Sequence, residues 1–140
     1  MIDSNQIVRS YLAANAGLIA LVGTRIYSPR LPENCPLPAL GFFTRGGVNN
    51  PHIEPLLQPS KQFDCWAKDA VDPSTGLLVA GPIWARRVYR ALYDALQGIQ
   101  NVAVGSNFIL SAIEEVQGQD LQDELQGYFR VLTFFQIIVR

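Results

Sequence analysis

Over the first 22 residues the apolar positions recur at helical spacing. Ser4 reads as an N-cap with Ile7, Val8, Tyr11 and Leu12 on one face behind it, which predicts a helix over about 4–14. Asn15 can cap a second, short helical turn over 16–22, where Leu18, Ile19, Leu21 and Val22 are apolar and Gly23 ends the run. The next segment, LVGTRIYSPRLPENCPLP over 21–38, carries four prolines and loses that period. Proline fixes φ and lacks an N–H, so the segment is expected to run extended without joining a hydrogen-bonded ladder. Leu21, Val22, Ile26, Tyr27 and Leu31 supply apolar anchors, so it reads as a stiff strap from the first helices to the first strand.

Beyond the strap the pattern turns to strands and one long helix. ALGFFTR over 39–45 predicts a strand closed by Gly46 and Gly47, and KQFDCWAK over 61–68 predicts a second. Between them, VNNPHIEPLLQPS reads as a long loop, of the kind that tends to carry function or disorder. Turn chemistry follows at 72–76, then an apolar set at helical period: Leu77, Leu78, Trp84, Ala85, Val88, Leu92, Ala95 and Leu96. Pro82 fits the first turn of a helix that starts near Gly81 and ends at Gly98. Strands are expected over 107–116 and 128–139, joined by the polar QGQDLQDELQG. The last, YFRVLTFFQIIV, is apolar on both faces, so helices or a neighbouring subunit must cover both. Together these predict one α+β domain over 1–140, a roughly four-stranded, mostly antiparallel sheet packed by two helices.

Composition adds two constraints. Hydrophobic residues make up 49% of the chain and charged residues only 16%, which favours some apolar surface reserved for a partner. The formal charge of −1 argues against a protein that lives by attraction to phosphate, though not against one that lets nucleic acid pass. Cys35 and Cys65 lack a C-x-x-C spacing and read as reduced thiols, with a disulfide left open. The start shows no secretory pattern and no apolar run is long enough for a membrane span.

Catalytic chemistry finds little support. His52 is the single histidine and has no neighbouring ligand set, so it reads as a loop residue. No nucleophile elbow, phosphate-cradling glycine loop or H-E-x-x-H motif occurs, and Cys65 sits mid-strand where a buried thiol is the ordinary case. Glu114 and Glu115 are adjacent on a strand and so point to opposite faces rather than forming an acid/base pair. The expectation is a protein without catalytic residues, metal or cofactor.

Charge placement is more telling. Arg86, Arg87 and Arg90 cluster on the predicted long helix, while Glu114, Glu115, Asp120, Asp123 and Glu124 fall in a stretch without Lys or Arg. Both are either solvated faces or complementary patches that meet head to tail between subunits, a contact that closes into a ring where the rotation allows.

The strap carries a resemblance. Leu21, Val22, Gly23, Arg25 and Ile26, followed by Leu31–Pro32 and by Pro38 opening a strand, resemble the tail-completion proteins of long-tailed bacteriophages, the tail terminators that join tail to head. A mid-chain strand bearing Trp66 and a final hairpin ending in an aromatic strand fit the same order of elements. The resemblance implies a structural virion protein, assembled in the bacterial cytoplasm and placed at the head-proximal end of the tail. There a homo-oligomeric, hexameric ring caps the tube of the major tail protein, stops its polymerisation and meets the head–tail connector. DNA would traverse the lumen without specific binding, and no membrane is involved. The 46–59 loop, with Asn49, Asn50, His52 and Glu54, would then be an arm reaching a neighbour or the tube. A neck or head-completion protein of the same particle is the nearest alternative. A small ligand-binding α+β domain is a third, and would need a pocket with convergent polar groups.

Overall fold

The computed structural model describes residues 2–49, 56–123 and 126–140, and of Asn49 and Asp123 the backbone alone. Helix α1 (Ser4–Ala13) is capped by Asp3, one residue earlier than expected: its carboxylate accepts from the Asn5 and Gln6 N–H groups at 3.0 and 3.2 Å. Ser4 is thereby released for another contact. Asn15 caps α2 (Ala16–Val22) as anticipated, its side chain accepting from Leu18 N–H at 3.0 Å. Gly23 closes that helix at φ +57°, where a side chain would be strained.

The expected four-stranded sheet on two helices is corrected by the structure. Among the described residues a six-stranded sheet runs in the order β1-β2-β3-β8-β7-β6, with a separate two-stranded hairpin β4–β5 and three helices. The sheet strands are β1 (Ile26–Tyr27), β2 (Ala39–Asn49), β3 (Leu57–Ala67), β6 (Gln100–Val104), β7 (Asn107–Asp123) and β8 (Tyr128–Val139). The hairpin is β4 (Ala70–Val71) with β5 (Leu78–Val79), and the third helix is α3 (Gly81–Leu96). All sheet pairings are antiparallel except β1–β2, which is parallel and makes the sheet mixed.

Each discrepancy has a local cause. The strap does join the ladder, because Ile26 and Tyr27 precede its first proline and pair with Leu40 and Gly41. Strands β2 and β3 extend into the expected loop, Val48 pairing with Gln58 and Gly47 with Pro59 across a bulge after Thr44. A bulge can accommodate proline inside a sheet because one ladder bond is already missing. The polar connection after Val116 is strand as well, since Gln119–Asp123 pair with Tyr128–Leu132. Leu77 and Leu78 are not helical core: they lie at 67% and 71% exposure in and beside β5.

The three helices pack on one face of the sheet. Trp84, Ala85, Val88, Leu92, Ala95 and Leu96 form the buried stripe of α3, at the spacing of one helix face. Pro82 sits in its first turn, as expected, and the Asp69 carboxylate accepts from Gly81 N–H at 2.6 Å. Beneath the helices, Phe42 stacks on Phe63 at 5.3 Å and Phe63 meets Phe135 edge-on at 5.7 Å, joining β2, β3 and β8 in one core. Along β8, Val131, Thr133, Phe135, Ile137 and Val139 are buried and the alternate residues from 132 to 138 are half-buried. The strap explains part of that second face: Leu31 lies 3.5 Å from where a side chain on Gly41 would begin.

Candidate assembly surfaces

Two arginines, Arg25 of the strap and Arg9 of α1, hold the strap in place. Arg25 Nε donates to the Pro38 carbonyl at 2.8 Å and Nη2 to the Leu21 carbonyl at 3.4 Å, tying the end of α2 to the strap's far end. Arg9 Nε donates to the Ile26 carbonyl at 3.1 Å. Val22 and Ile26 are buried, while Leu21, Tyr27 and Leu31 are half-buried, so the apolar anchors are engaged.

The basic helix and the acidic strand meet within one chain. Arg86 grips Asp120 with two parallel bonds, Nε–Oδ1 at 2.8 Å and Nη2–Oδ2 at 2.9 Å. Arg87 pairs instead with Asp72 at 2.9 Å and stacks on the Trp84 ring, its guanidinium 4.7 Å from the centroid. Asp72 is held below the usual carboxylate range, first by Ser74 N–H and hydroxyl and then by Arg87. Arg90 is exposed and makes no hydrogen bond or ion pair among the described residues.

Glu115 is the extra residue of a bulge in β7 between Glu114 and Val116, and the two glutamates diverge. The Glu114 carboxylate accepts from the Tyr89 hydroxyl at 2.7 Å, and the Thr133 hydroxyl lies 2.7 Å from the same oxygen. Burial, with Glu114 adding to it, pushes the Tyr89 phenol above its ordinary pKa. Glu115 is exposed and accepts from Ser60 Oγ at 2.6 Å. Asn50, His52, Glu54 and Glu124 lie outside the described residues; Asn49 and Asp123 are placed at the ends of β2 and β7 by backbone alone.

The two long edges of the sheet are finished differently. On β7, strand β6 pairs only as far as Ser111, and groups at the end of α3 and along it take over. Gly98 N–H donates to the Ala112 carbonyl at 2.9 Å and Glu114 N–H to Gln97 Oε1 at 2.8 Å. Gly118 N–H donates to the Tyr89 hydroxyl at 3.2 Å, while its carbonyl accepts from Arg86 Nη2 at 3.3 Å. Only glycine fits there: a Cβ at 118 would lie 2.8 Å from the Tyr89 ring and 2.9 Å from Val131.

On β2, strand β1 pairs only at Leu40 and Gly41. Leu40 N–H donates across this edge to the Arg25 carbonyl at 3.0 Å. The two-residue period of a strand therefore aims the N–H and C=O of Phe42 and Thr44 the same way, and no strand among the described residues meets them. Residues 44–48 are exposed, Val48 at 59%.

Two further groups escaped sequence reasoning. Lys61 is fully buried and its ammonium donates to Ser4 Oγ and Thr44 Oγ1, each at 2.7 Å, and to Asn5 Oδ1, pinning the start of α1 to the sheet. Burial pushes its pKa down to about 8 against the opposing pull of Asp3. On the face away from the helices, Arg130 stacks on Trp66 at 4.9 Å and lies 3.5 Å from Asp64, whose carboxyl is pushed up by burial. A cavity of about 480 Å³ lies beside them, lined by Leu31, Cys35, Trp66, Leu121, Tyr128 and Arg130 among others. Cys65 is buried and its thiol is pushed far up by desolvation and by Asp64, which makes it a poor nucleophile. Exposed Val71, Leu77, Leu78 and Ile83 cluster on the β4–β5 hairpin and the first turn of α3.

No family model matches this sequence, and no curated protein matches it. A chain in the solved structure of the virion of a native gene transfer agent (GTA) particle shares its fold, with a TM-score of 0.62 and 19% sequence identity. The alignment covers 97% of this chain and 93% of that one, so the likeness spans the strap, the sheet and all three helices.

Proposed function

We propose that this chain is a structural virion protein of a tailed, phage-like particle, acting as a ring-forming terminator at the head-proximal end of the tail. The observation that carries the reading is a fold shared along nearly its full length with a virion chain of a gene transfer agent particle. The strap motif supports the finer assignment, because Arg25, Gly23 and Leu31, which mark the tail-terminator resemblance, are each structurally engaged. Exposed leucines at 77 and 78 and an open sheet edge are what a subunit with several neighbours presents.

In this reading the protein performs no catalysis. It forms a homo-oligomeric ring, six-membered by the resemblance, on the end of the tube built by the major tail protein. It thereby stops further polymerisation and offers its other face to the head connector. A chain of net charge −1 exerts little pull on phosphate, so DNA can traverse the lumen without being retained.

The test is to add purified protein to polymerising tail tubes and image them by electron microscopy. Rings at one end of each tube, with growth arrested, are expected. Binding to DNA-filled heads alone would instead assign the protein to the neck, and binding to neither would overturn the virion reading.

A further inference from the structure

We infer that the β4–β5 hairpin of one copy docks, by Leu77 and Leu78, on the outer face of the sheet of a second copy, at the cavity beside Trp66 and Tyr128. The inference rests on the ring reading above and names the two surfaces by which the ring would close.

The hairpin is firmly built, yet its outside is apolar. Val71 pairs directly opposite Leu78, and the Asp72 N–H donates to the Leu77 carbonyl at 2.8 Å. Trp84 Nε1 donates to the Ala70 carbonyl at 3.1 Å, and Arg87, stacked on the same Trp84 ring, holds Asp72 at 2.9 Å. Anchored to α3 in this way, the hairpin holds its leucines out in solvent. Val71, Leu77, Leu78 and Ile83, each more than half exposed, present on the order of 400 Å² of apolar surface, the size at which a patch marks a contact.

A second apolar patch lies on the opposite layer. Ile113, Val116 and Leu121 pair opposite Gln136, Phe134 and Arg130 of β8. Those three alternate with the buried, helix-facing residues of β8, so their partners on β7 also lie on the face away from the helices. Tyr128 shares that alternation and lines the cavity with Leu121, Trp66 and Leu31. Ile113, Val116, Leu121 and Tyr128 together expose on the order of 300 Å².

Area and shape select a second copy as the occupant. Joined, the two patches supply about 700 Å² of apolar surface, most of the ~900 Å² found in a standard interface of about 1,600 Å². Copies meeting hairpin to hairpin would cover one patch and leave the other in water. A single heterologous contact covers both in every copy of a closed ring. The hairpin supplies the projecting side chains and the outer face the recess: two leucine side chains of roughly 100 Å³ each fit a cavity of about 480 Å³.

The test is sedimentation of the full chain up to millimolar concentration, with a variant at each surface. Leu78→Lys on the hairpin and Leu121→Lys on the outer face should each weaken self-association at least tenfold and leave the circular dichroism unchanged. Val116→Lys, on the same outer face, replaces Leu121→Lys should that variant fail to fold. Each variant keeps one surface intact, so an equimolar mixture should form a 1:1 dimer within threefold of the parent's affinity and nothing larger. Either variant associating as well as the parent, a mixture no more associated than its components, or a parent that stays monomeric throughout would overturn the contact. Leu78→Lys that associates normally yet no longer caps tail tubes would give the hairpin to the tube protein instead. Rings of the parent on tail tubes beside any of these results would leave the ring reading standing, whereas that reading itself fails if the parent forms no ring there.

Discussion

The two edges of the sheet use the same backbone chemistry and reach opposite outcomes. At β7, Tyr89, Arg86 and Gln97 reach over from α3 and its end and consume N–H and C=O groups that β6 is too short to pair. At β2, the two-residue β1 pairs Leu40 and Gly41 and then leaves the strand, and residues 44–48 stand in solvent. A sealed edge contributes to the stability of the single subunit. An open edge contributes less to it. Substitutions at the sealed edge should therefore cost the subunit more than those at the open one.

The largest effect is expected at Gly118, where a Cβ has no room beside Tyr89 and Val131. Gly118→Val should destabilise the fold by ~2–3 kcal/mol in urea denaturation, because overpacking forces neighbours off their rotamers. Next comes Tyr89→Phe, which strips a hydroxyl that accepts from Gly118 N–H and donates to Glu114. A cost of about 1 kcal/mol is expected, since two half-buried partners each lose a bond.

Lys61, beside the open edge, gives a pH signature. Its folded pKa of about 8 lies below the ordinary 10.5, so between those values the unfolded chain binds more protons than the folded one. Stability relative to Lys61→Met should therefore rise as pH goes from about 8 to 10.5 and stay level below 8. A difference that is flat across that window would contradict the burial of the ammonium.

Smaller still is the Arg86–Asp120 pair, whose side chains are 41% and 66% exposed. A double-mutant cycle with alanines should return a coupling of about 1 kcal/mol or less, shrinking with salt. Arg45→Ala removes a hydrogen bond to Gln62 Oε1 at 3.0 Å and a guanidinium 5.6 Å from the Phe134 ring centroid, and should cost the monomer about 1 kcal/mol or less. A larger loss would mean that the open-edge strand stabilises the subunit after all.

Much of the architecture was legible where the hydrophobic period was strong. The stripe from Trp84 to Leu96 and Pro82 in its first turn identified α3, and the aromatic run after Tyr128 identified β8. The missed strands were those whose pairing is decided by the neighbour. Ile26–Tyr27 form β1 only because Leu40 and Gly41 lie alongside, and Gln119–Asp123 form a strand, despite their polarity, because Tyr128–Leu132 are already fixed. Leu77 and Leu78 fit a helical period by coincidence, and Asp72–Gly76 turns them into a hairpin instead.

For the candidate surfaces, the charges themselves were visible but not their partners. Arg86 with Asp120 and Arg87 with Asp72 span 34 and 15 residues, separations that no local spacing encodes. Gly118 was a readable signal, since a lone glycine inside a strand marks a bulge or a close approach. The exposure of β2 followed from topology alone.

The central claim, that this is a ring subunit at the head-proximal end of a tail, is tested most directly by an electron cryo-microscopy reconstruction of the intact particle at the head–tail junction. The account predicts one closed ring of this chain seated on the last layer of the tail tube. Density for the chain elsewhere in the particle, or its absence from purified particles, would contradict it.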